Sequence, residues 1–366
     1  KFRVRKFMKL FKSLLVAPAT LGLLAPMAAT ANEVTISDFT PAEELAITNS
    51  RVDGLEARMN NIEAGSFSET TTASFSADMA IGAVDGGTAT TDDAVEAYYG
   101  FQIDLNTSFT GEDSLDISLD AGNAGGAVTE FDLNGTTNEA LTVDGVSYTF
   151  PIGDATVFVG DNTDGSALFS TACVYGGPSN TLDDCGNVSA AFVGDGTSAG
   201  ASVDFENGFT AAVGYAGSGS STKGLLTEEG IDSYGANVAY TGDNYGVSVT
   251  YAMTETDEAG GTEEDTFTAL NAYYTPDTFP VSLSFGYEWG TDGSKAATAD
   301  ETSSYFIGVQ FDEVGPGTLG TAFGTKTPTV EETEDLLMYE VFYSYPINDG
   351  MTITPLVYIK EFAGAV

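Results

Sequence analysis

The chain has 366 residues, 43 of them Gly, with 11% aromatic and only 18% charged residues. That mix suits a turn-rich sheet protein. Its formal net charge is −42 and it has no His. The first excludes a surface that attracts nucleic-acid phosphates, and the second removes the commonest general base and metal ligand.

From Met8 the chain reads MKLFKSLLVAPATLGLLAPMAATANE. Lys9 and Lys12 form a positive n-region, Leu14 to Leu24 an apolar stretch, and Ala29-Thr30-Ala31 a small-x-small cleavage site. This predicts a signal peptide over 1–31, with the true start at Met8 and the mature chain at Asn32. Pro18 and Pro26 interrupt the apolar stretch, and no later segment approaches the ~20 apolar residues of a spanning helix. A membrane position therefore requires a closed barrel.

Residues 32–65 form a second unit, a linker and then a helix entered at Pro41 and ended at Gly65. Leu45, Val52 and Met59 alternate with Thr48, Leu55 and Ile62 at heptad a and d spacing. So short a run needs partners. The readings are a periplasmic coiled coil that ties copies together, with a trimer favoured, and an amphipathic helix packed on a barrel.

From Ser66 the period becomes two, and 66–366 is assigned to one barrel. Val95, Ala97, Tyr99, Phe101, Ile103 and Leu105 alternate with Glu96, Tyr98, Gly100, Gln102, Asp104 and Asn106. Leu115, Ile117 and Leu119 alternate with Asp116, Ser118 and Asp120. Such a strand has one greasy and one wet face, and its length matches the ~9–11 residues of a tilted membrane strand. Hairpins are predicted at Glu206-Asn207-Gly208 and Gly242-Asp243-Asn244. Further strands are expected at 265–275, 280–289, 303–312, 317–325, 336–345 and 350–360. The fold class is all-β, an antiparallel transmembrane barrel of about 16 strands. Long acidic connections are expected at 123–140, 161–187, 216–230, 254–264 and 290–302. Tyr98, Tyr99, Tyr240, Tyr245, Tyr251, Tyr287, Trp289, Tyr343 and Tyr345 fall near strand ends, as interfacial girdles require.

Cys173 and Cys185 are the two cysteines. In an exported chain they read as one local disulfide, and closing so short a loop is worth ~3 kcal/mol in the chain-entropy picture. Two uses remain open: stiffening a loop folded into the lumen as a constriction, with Asp183 and Asp184 at the eyelet, or stapling an external loop.

Residues 66–366 contain no Arg and four lysines, Lys223, Lys295, Lys326 and Lys360, against 47 acidic residues. The inward candidates are Glu96, Gln102, Asp104, Asn106, Asp116 and Asp120. An acidic lumen favours cations. The competing reading places most carboxylates in outer loops, bridging divalent cations to lipopolysaccharide. Asp183-Asp184 and the stretch GTEED lack calcium-loop spacing, so neither a metal site nor a cofactor is expected.

Four stretches carry a resemblance: NSRVDGLEARMNNIEAGSFSETTT (49–72), ACVYGGPSNTLDDCGN (172–187), YYTPDTFPVSLSFGYEWG (273–290) and TPLVYIKE (354–361). They resemble the cyanobacterial outer-membrane porins, grouped with the carbohydrate-selective porin family and also called iron-uptake porins. The resemblance implies an outer-membrane, trimeric barrel that passes ions and small solutes such as carbohydrates or iron, and no enzyme. Long members carry an S-layer homology domain before the coiled coil. Here only residues 32–40 separate the cleavage site from Pro41, so no peptidoglycan binding is expected. Members should close on an aromatic-ended strand, whereas this chain stops at Phe362-Ala363-Gly364-Ala365-Val366. The expectation is a fragment, or a barrel with an unpaired seam. The alternative function is a structural protein or adhesin that displays acidic loops without an open channel.

Overall fold

A computed structural model of the chain describes Arg51 and residues 71–361, apart from 87–93, 126–129, 132, 134–137, 191–194, 220–223, 228–229, 256–263, 293–299, 326–328 and 331–334. The signal segment and the coiled-coil positions Leu45, Thr48, Val52, Leu55, Met59 and Ile62 lie outside the described residues. The chain divides into two units, 1–72 and 73–366. Of the first, only Arg51, Thr71 and Thr72 are described.

The second unit is all β. Its strands are β1 (Thr71–Gly82, begun in the first unit), β2 (Glu96–Thr107), β3 (Ser114–Gly122), β4 (Thr142–Ile152), β5 (Ala155–Asp164), β6 (Asp195–Asp204), β7 (Phe209–Gly217), β8 (Asp232–Thr241) and β9 (Tyr245–Thr254). They continue as β10 (Asp265–Tyr274), β11 (Val281–Asp292), β12 (Asp300–Val314), β13 (Gly317–Thr325), β14 (Thr329–Val330), β15 (Leu337–Asn348), β16 (Met351–Ile353) and β17 (Leu356–Lys360). Successive strands pair antiparallel, as in Ala269↔Glu288 between β10 and β11 and Val238↔Val249 between β8 and β9. β14 continues β13 along β12. β16 and β17 likewise share β15, interrupted at Thr354-Pro355. The described segments thus follow fifteen strand paths, close to the number read from the sequence, and they wind as one barrel.

Connections alternate in length. Gly153-Asp154, 205–208, 242–244, Gly315-Pro316 and Asp349-Gly350 turn the chain tightly at one end, whereas 123–141, 165–194 and 218–231 connect the strands at the other. In the turn 205–208, Glu206 and Gly208 both take positive φ, a conformation that Gly bears without strain. Three expectations need correction. The hairpin β4–β5 was not singled out from the sequence. Residues 161–164 belong to β5 rather than to a loop, because a bulge at Asn162 (φ 55°) lets the strand continue past Gly160. The hairpin predicted at Glu206-Asn207-Gly208 begins one residue earlier, because Phe205 lies in the β6–β7 turn with its N–H bonded to Phe209 O at 2.9 Å.

The alternation sorts the side chains. Along β9, Tyr245, Val247, Val249 and Tyr251 are exposed while Gly246, Ser248, Thr250 and Ala252 are buried. On β11, Leu283, Phe285, Tyr287 and Trp289 are exposed, with Ser282, Ser284 and Glu288 buried. A water-soluble protein shows the opposite sorting. Here the apolar row faces outward and the polar row faces the barrel interior. Aromatic rings gather near both strand ends. Phe209, Tyr240 and Tyr245 form one chain of contacts at the tight-turn end, with centroids 5.0 and 5.3 Å apart. Toward the other end Tyr287 stacks on Trp289 at 5.7 Å and Tyr305, Phe323 and Tyr339 form a row.

Candidate pore and its inner loop

The polar face of the barrel is not uniform, because residues 165–190 of the β5–β6 connection lie across it. Their backbone amides are received by side chains of four strands. Ser170 N–H donates to Asn237 Oδ1 of β8 at 3.0 Å, and Ala172 N–H to Ser248 Oγ of β9 at 2.8 Å. Val174 N–H donates to Ser284 Oγ of β11 at 3.1 Å, and Gly176 N–H to Gln310 Oε1 of β12 at 3.2 Å. On the return limb, Asn271 Nδ2 donates to Cys185 O at 2.9 Å and Ser304 Oγ to Gly186 O at 3.1 Å. Ser189 N–H and Ala190 N–H converge on the Glu288 carboxylate, with contacts of 2.8 and 2.7 Å to Oε2. A loop has backbone groups to satisfy, and here the short polar side chains of the inner face satisfy them.

Apolar packing adds to these bonds. Tyr175, Leu182 and Cys185 of the loop are buried against Phe306, Ala322, Met338 and Phe342 of β12, β13 and β15. Tyr175 meets Phe306 and Phe342 edge to face at 5.3 and 5.8 Å. Its hydroxyl donates to Glu340 Oε1 at 2.5 Å. Burial, and secondarily the neighbouring Glu340 carboxylate, push the Tyr175 phenol far above its ordinary value, so it stays a proton donor. Cys173 and Cys185 are bonded to each other across this loop, with Cα atoms 6.4 Å apart. Asp183 and Asp184 are half-buried in the turn between Ser179 and Cys185.

Two glycines permit the approach. A Cβ at Gly286 of β11 would lie 1.7 Å from Cys185 O, and one at Gly214 of β7 would lie 1.9 Å from Gly165 O. Any side chain at either place collides with backbone.

On the opposite wall, none of the described inner-loop residues bonds to the interior rows of β2 and β3. Gln102, Asp104 and Asn106 of β2 share a face and register with Asp120, Ser118 and Asp116 of β3. Asp104 receives Gln102 Nε2 at 2.6 Å, Ser118 Oγ at 2.8 Å and, from β1, Ser74 Oγ at 3.4 Å. Asp116 receives Asn106 Nδ2 at 2.6 Å and Ser114 Oγ at 2.6 Å, and Asp120 receives Thr142 Oγ1 at 2.7 Å. Among the described residues, the side chains that donate to these carboxylates are all neutral. Glu96, half-buried at the start of β2, stands on the same side. The three aspartates occupy successive levels of the ladder, two residues apart and hence roughly 7 Å. None of these wall residues is fully buried, whereas Asn271 and Ser304 beneath the loop have 0% exposure and Glu288 and Glu340 1%. The sequence placed Asp104, Asp116 and Asp120 on the wet face by period alone. It did not single out Glu288, Glu340, Ser284 or Asn271, whose parity was legible but whose partner loop was not.

No family model matches the chain. An uncharacterised protein of Nostoc sp. is 31% identical over 163 residues, 40% of this chain and 28% of that protein's length, so the match spans little more than a quarter of the relative. Among solved structures the chain is similar to an anion-selective porin from Comamonas acidovorans, with TM-score 0.55, 14% identity, and 80% of this chain and 90% of that one covered. It is also similar to OprB of Pseudomonas putida, with TM-score 0.57, 9% identity, and 79% and 88% covered. A loop-deletion mutant of OmpT, an outer-membrane protein of Vibrio cholerae, matches with TM-score 0.54, 10% identity, and 80% and 94% covered. At these identities the likeness concerns the fold, and the fold of this chain is the antiparallel barrel of the bacterial porins.

Proposed function

We propose that the chain is an outer-membrane porin, a passive diffusion channel for ions and small solutes that prefers cations. The observation that carries this reading is the inner loop, bonded along one half of a polar barrel interior while the other half stays open. A structural protein or adhesin has no need of an interior that is polar, part-filled and part-free.

The outer face supports a membrane position. Burying an exposed Val, Leu or Phe side chain is worth ~1.5–3 kcal/mol, and β9 and β11 present such residues, with Tyr and Trp, in unbroken exposed alternate rows. Lipid removes that area from water, and aromatic residues at both strand ends suit the two interfaces. Export through the cleaved segment 1–31, lipopolysaccharide contact and trimer formation through the helix 41–65 belong to the same reading.

The charge of the lumen supports cation preference. Among the described residues from Thr71 on, Lys360 alone is a Lys or Arg, and it is ion-paired to Glu130. Porins that favour anions line the pore with Lys or Arg. The neutral donors on Asp104, Asp116 and Asp120 hold those carboxylates in place without cancelling their charge. Sugar, inorganic ion and iron complexes all remain compatible solutes for such a pore.

Planar-bilayer recording of the refolded protein under a salt gradient tests the proposal. It expects discrete conductance steps and a reversal potential on the cation side. The absence of steps at any protein concentration, with liposomes that do not swell in sugar solution, would return the structural alternative.

A further inference from the structure

A second connection reaches the inner loop. Glu130, in the β3–β4 connection, accepts Asn180 N–H at its carbonyl at 2.9 Å and Thr181 N–H at Oε1 at 2.9 Å. The next residue, Phe131, forms an antiparallel bridge with Ser179. The other carboxylate oxygen of Glu130 pairs with Lys360 Nζ of β17. Glu130 is 5% exposed. Lys360 lies on the interior row, its neighbour Ile359 facing outward at 63% exposure. One carboxylate thus joins three separate parts of the barrel: the β3–β4 connection, the inner loop and the β17 wall. Among the described residues, Glu340 and Tyr358, paired across β15 and β17, are titratable groups close to this carboxylate.

We propose that Glu130 and Lys360 are positioning residues of the pore, a latch that fixes the two inserted connections against the wall and so sets the bore. This rests on the porin reading above. The physical case is one of accounting for charge. A lysine on the interior row of an acidic barrel would repel the ions the pore favours, and a carboxylate this buried needs a cation or donors. Pairing removes both problems and leaves the loop amides of Asn180 and Thr181 satisfied. The pair also crosses between segments far apart in the chain, so it resists motion of the loops toward the lumen or out of it.

The proposal predicts different effects for the two partners. K360Q removes the wall end of the latch, so single-channel conductance should change about twofold, with added open-channel noise, as the constriction loosens. K360R should restore the wild-type trace, because guanidinium keeps the charge. E130Q leaves Lys360 unpaired beside the lumen, and the cation-to-anion permeability ratio should fall about threefold, an effect a merely structural contact would not produce. The exchange E130K/K360E should bring selectivity back toward wild type. Wild-type conductance, noise and reversal potential in both single variants, with only a lower unfolding temperature, would overturn the latch while leaving the porin reading intact. No channels from the wild type would overturn the porin reading itself.

Discussion

The covered wall, β8–β15, and the open wall, β2–β4, are built from the same material and do different things. Each carries small polar and acidic side chains on its interior row. On the covered wall these groups are spent on foreign backbone: Asn237, Ser248, Ser284 and Glu288 each receive an amide of the inner loop. On the open wall they are spent on one another, in the ladder of Asp104, Asp116 and Asp120 with Gln102, Asn106 and Ser118. The comparison shows that an interior row of polar residues serves either as a dock or as a lining. What decides is whether a loop arrives with unsatisfied amides.

The largest expected effect comes from breaking the dock. Gly286→Val drives a side chain into Cys185 O, so the loop must leave β11. Single-channel conductance should rise several-fold toward that of an unobstructed barrel, roughly as the open area of the lumen. Unchanged conductance in a folded variant would mean the loop does not narrow the pore. The double variant C173S/C185S acts on the same loop more gently, because its bonds to the wall remain; noise should increase more than mean conductance.

The lining is tested next. Asp104→Asn, Asp116→Asn and Asp120→Asn combined should lower cation preference on the order of tenfold at low salt. At 1 M salt the effect should shrink, since the screening length is then about 3 Å. Reversal potentials at both salt concentrations check this. If the outer loops carry the selectivity instead, the triple variant will match wild type.

A smaller effect is expected at Glu288. Its replacement by Ala strands the half-buried amide of Ser189 and the buried amide of Ala190, at a cost of about 1–3 kcal/mol for a buried group left unsatisfied. The barrel should survive, held by its ladders, while the loop becomes accessible to protease before the strands unfold. Limited proteolysis followed by mass spectrometry reads this directly.

The smallest effect belongs to a turn outside both walls. Asp113, between β2 and β3, receives Tyr148 hydroxyl at 2.5 Å, the Phe109 and Thr110 amides at 2.9 and 2.7 Å, and the Ser108 and Thr110 hydroxyls at 2.8 Å. The Tyr148 bond first, and then the bonds from Thr110 and Ser108, outweigh burial and hold the carboxyl well below the usual range. A depressed value stabilises the folded state above the ordinary Asp pKa of ~3.9, and that stability is lost as pH falls through the folded value. Asp113→Asn should therefore lower the unfolding temperature at neutral pH and flatten its decline below pH ~4.

Much of the barrel is legible in the sequence. Val247 to Tyr251 alternate with Ser248 and Thr250 in the sequence itself, and period two admits only one assignment of faces. Gly242-Asp243-Asn244 marks its own hairpin. The β4–β5 hairpin escaped because bulges at Ser118/Leu119 and at Asn162 interrupt the pairing on both sides of it, and Gly145 and Gly160 blank two positions of the pattern. The partners of the inner loop escaped for another reason. Ser170 and Asn237 stand 67 residues apart, and Tyr175 and Glu340 stand 165 apart, so no local period connects them.

The sequence by itself determined most of the strands and their facing, because alternation and turn chemistry act over a few residues. Only the tertiary structure decided which wall the Cys173–Cys185 loop covers and which it leaves open. That choice depends on amides, hydroxyls and carboxylates meeting across the barrel, and on glycines at 214 and 286 that leave room for them to meet.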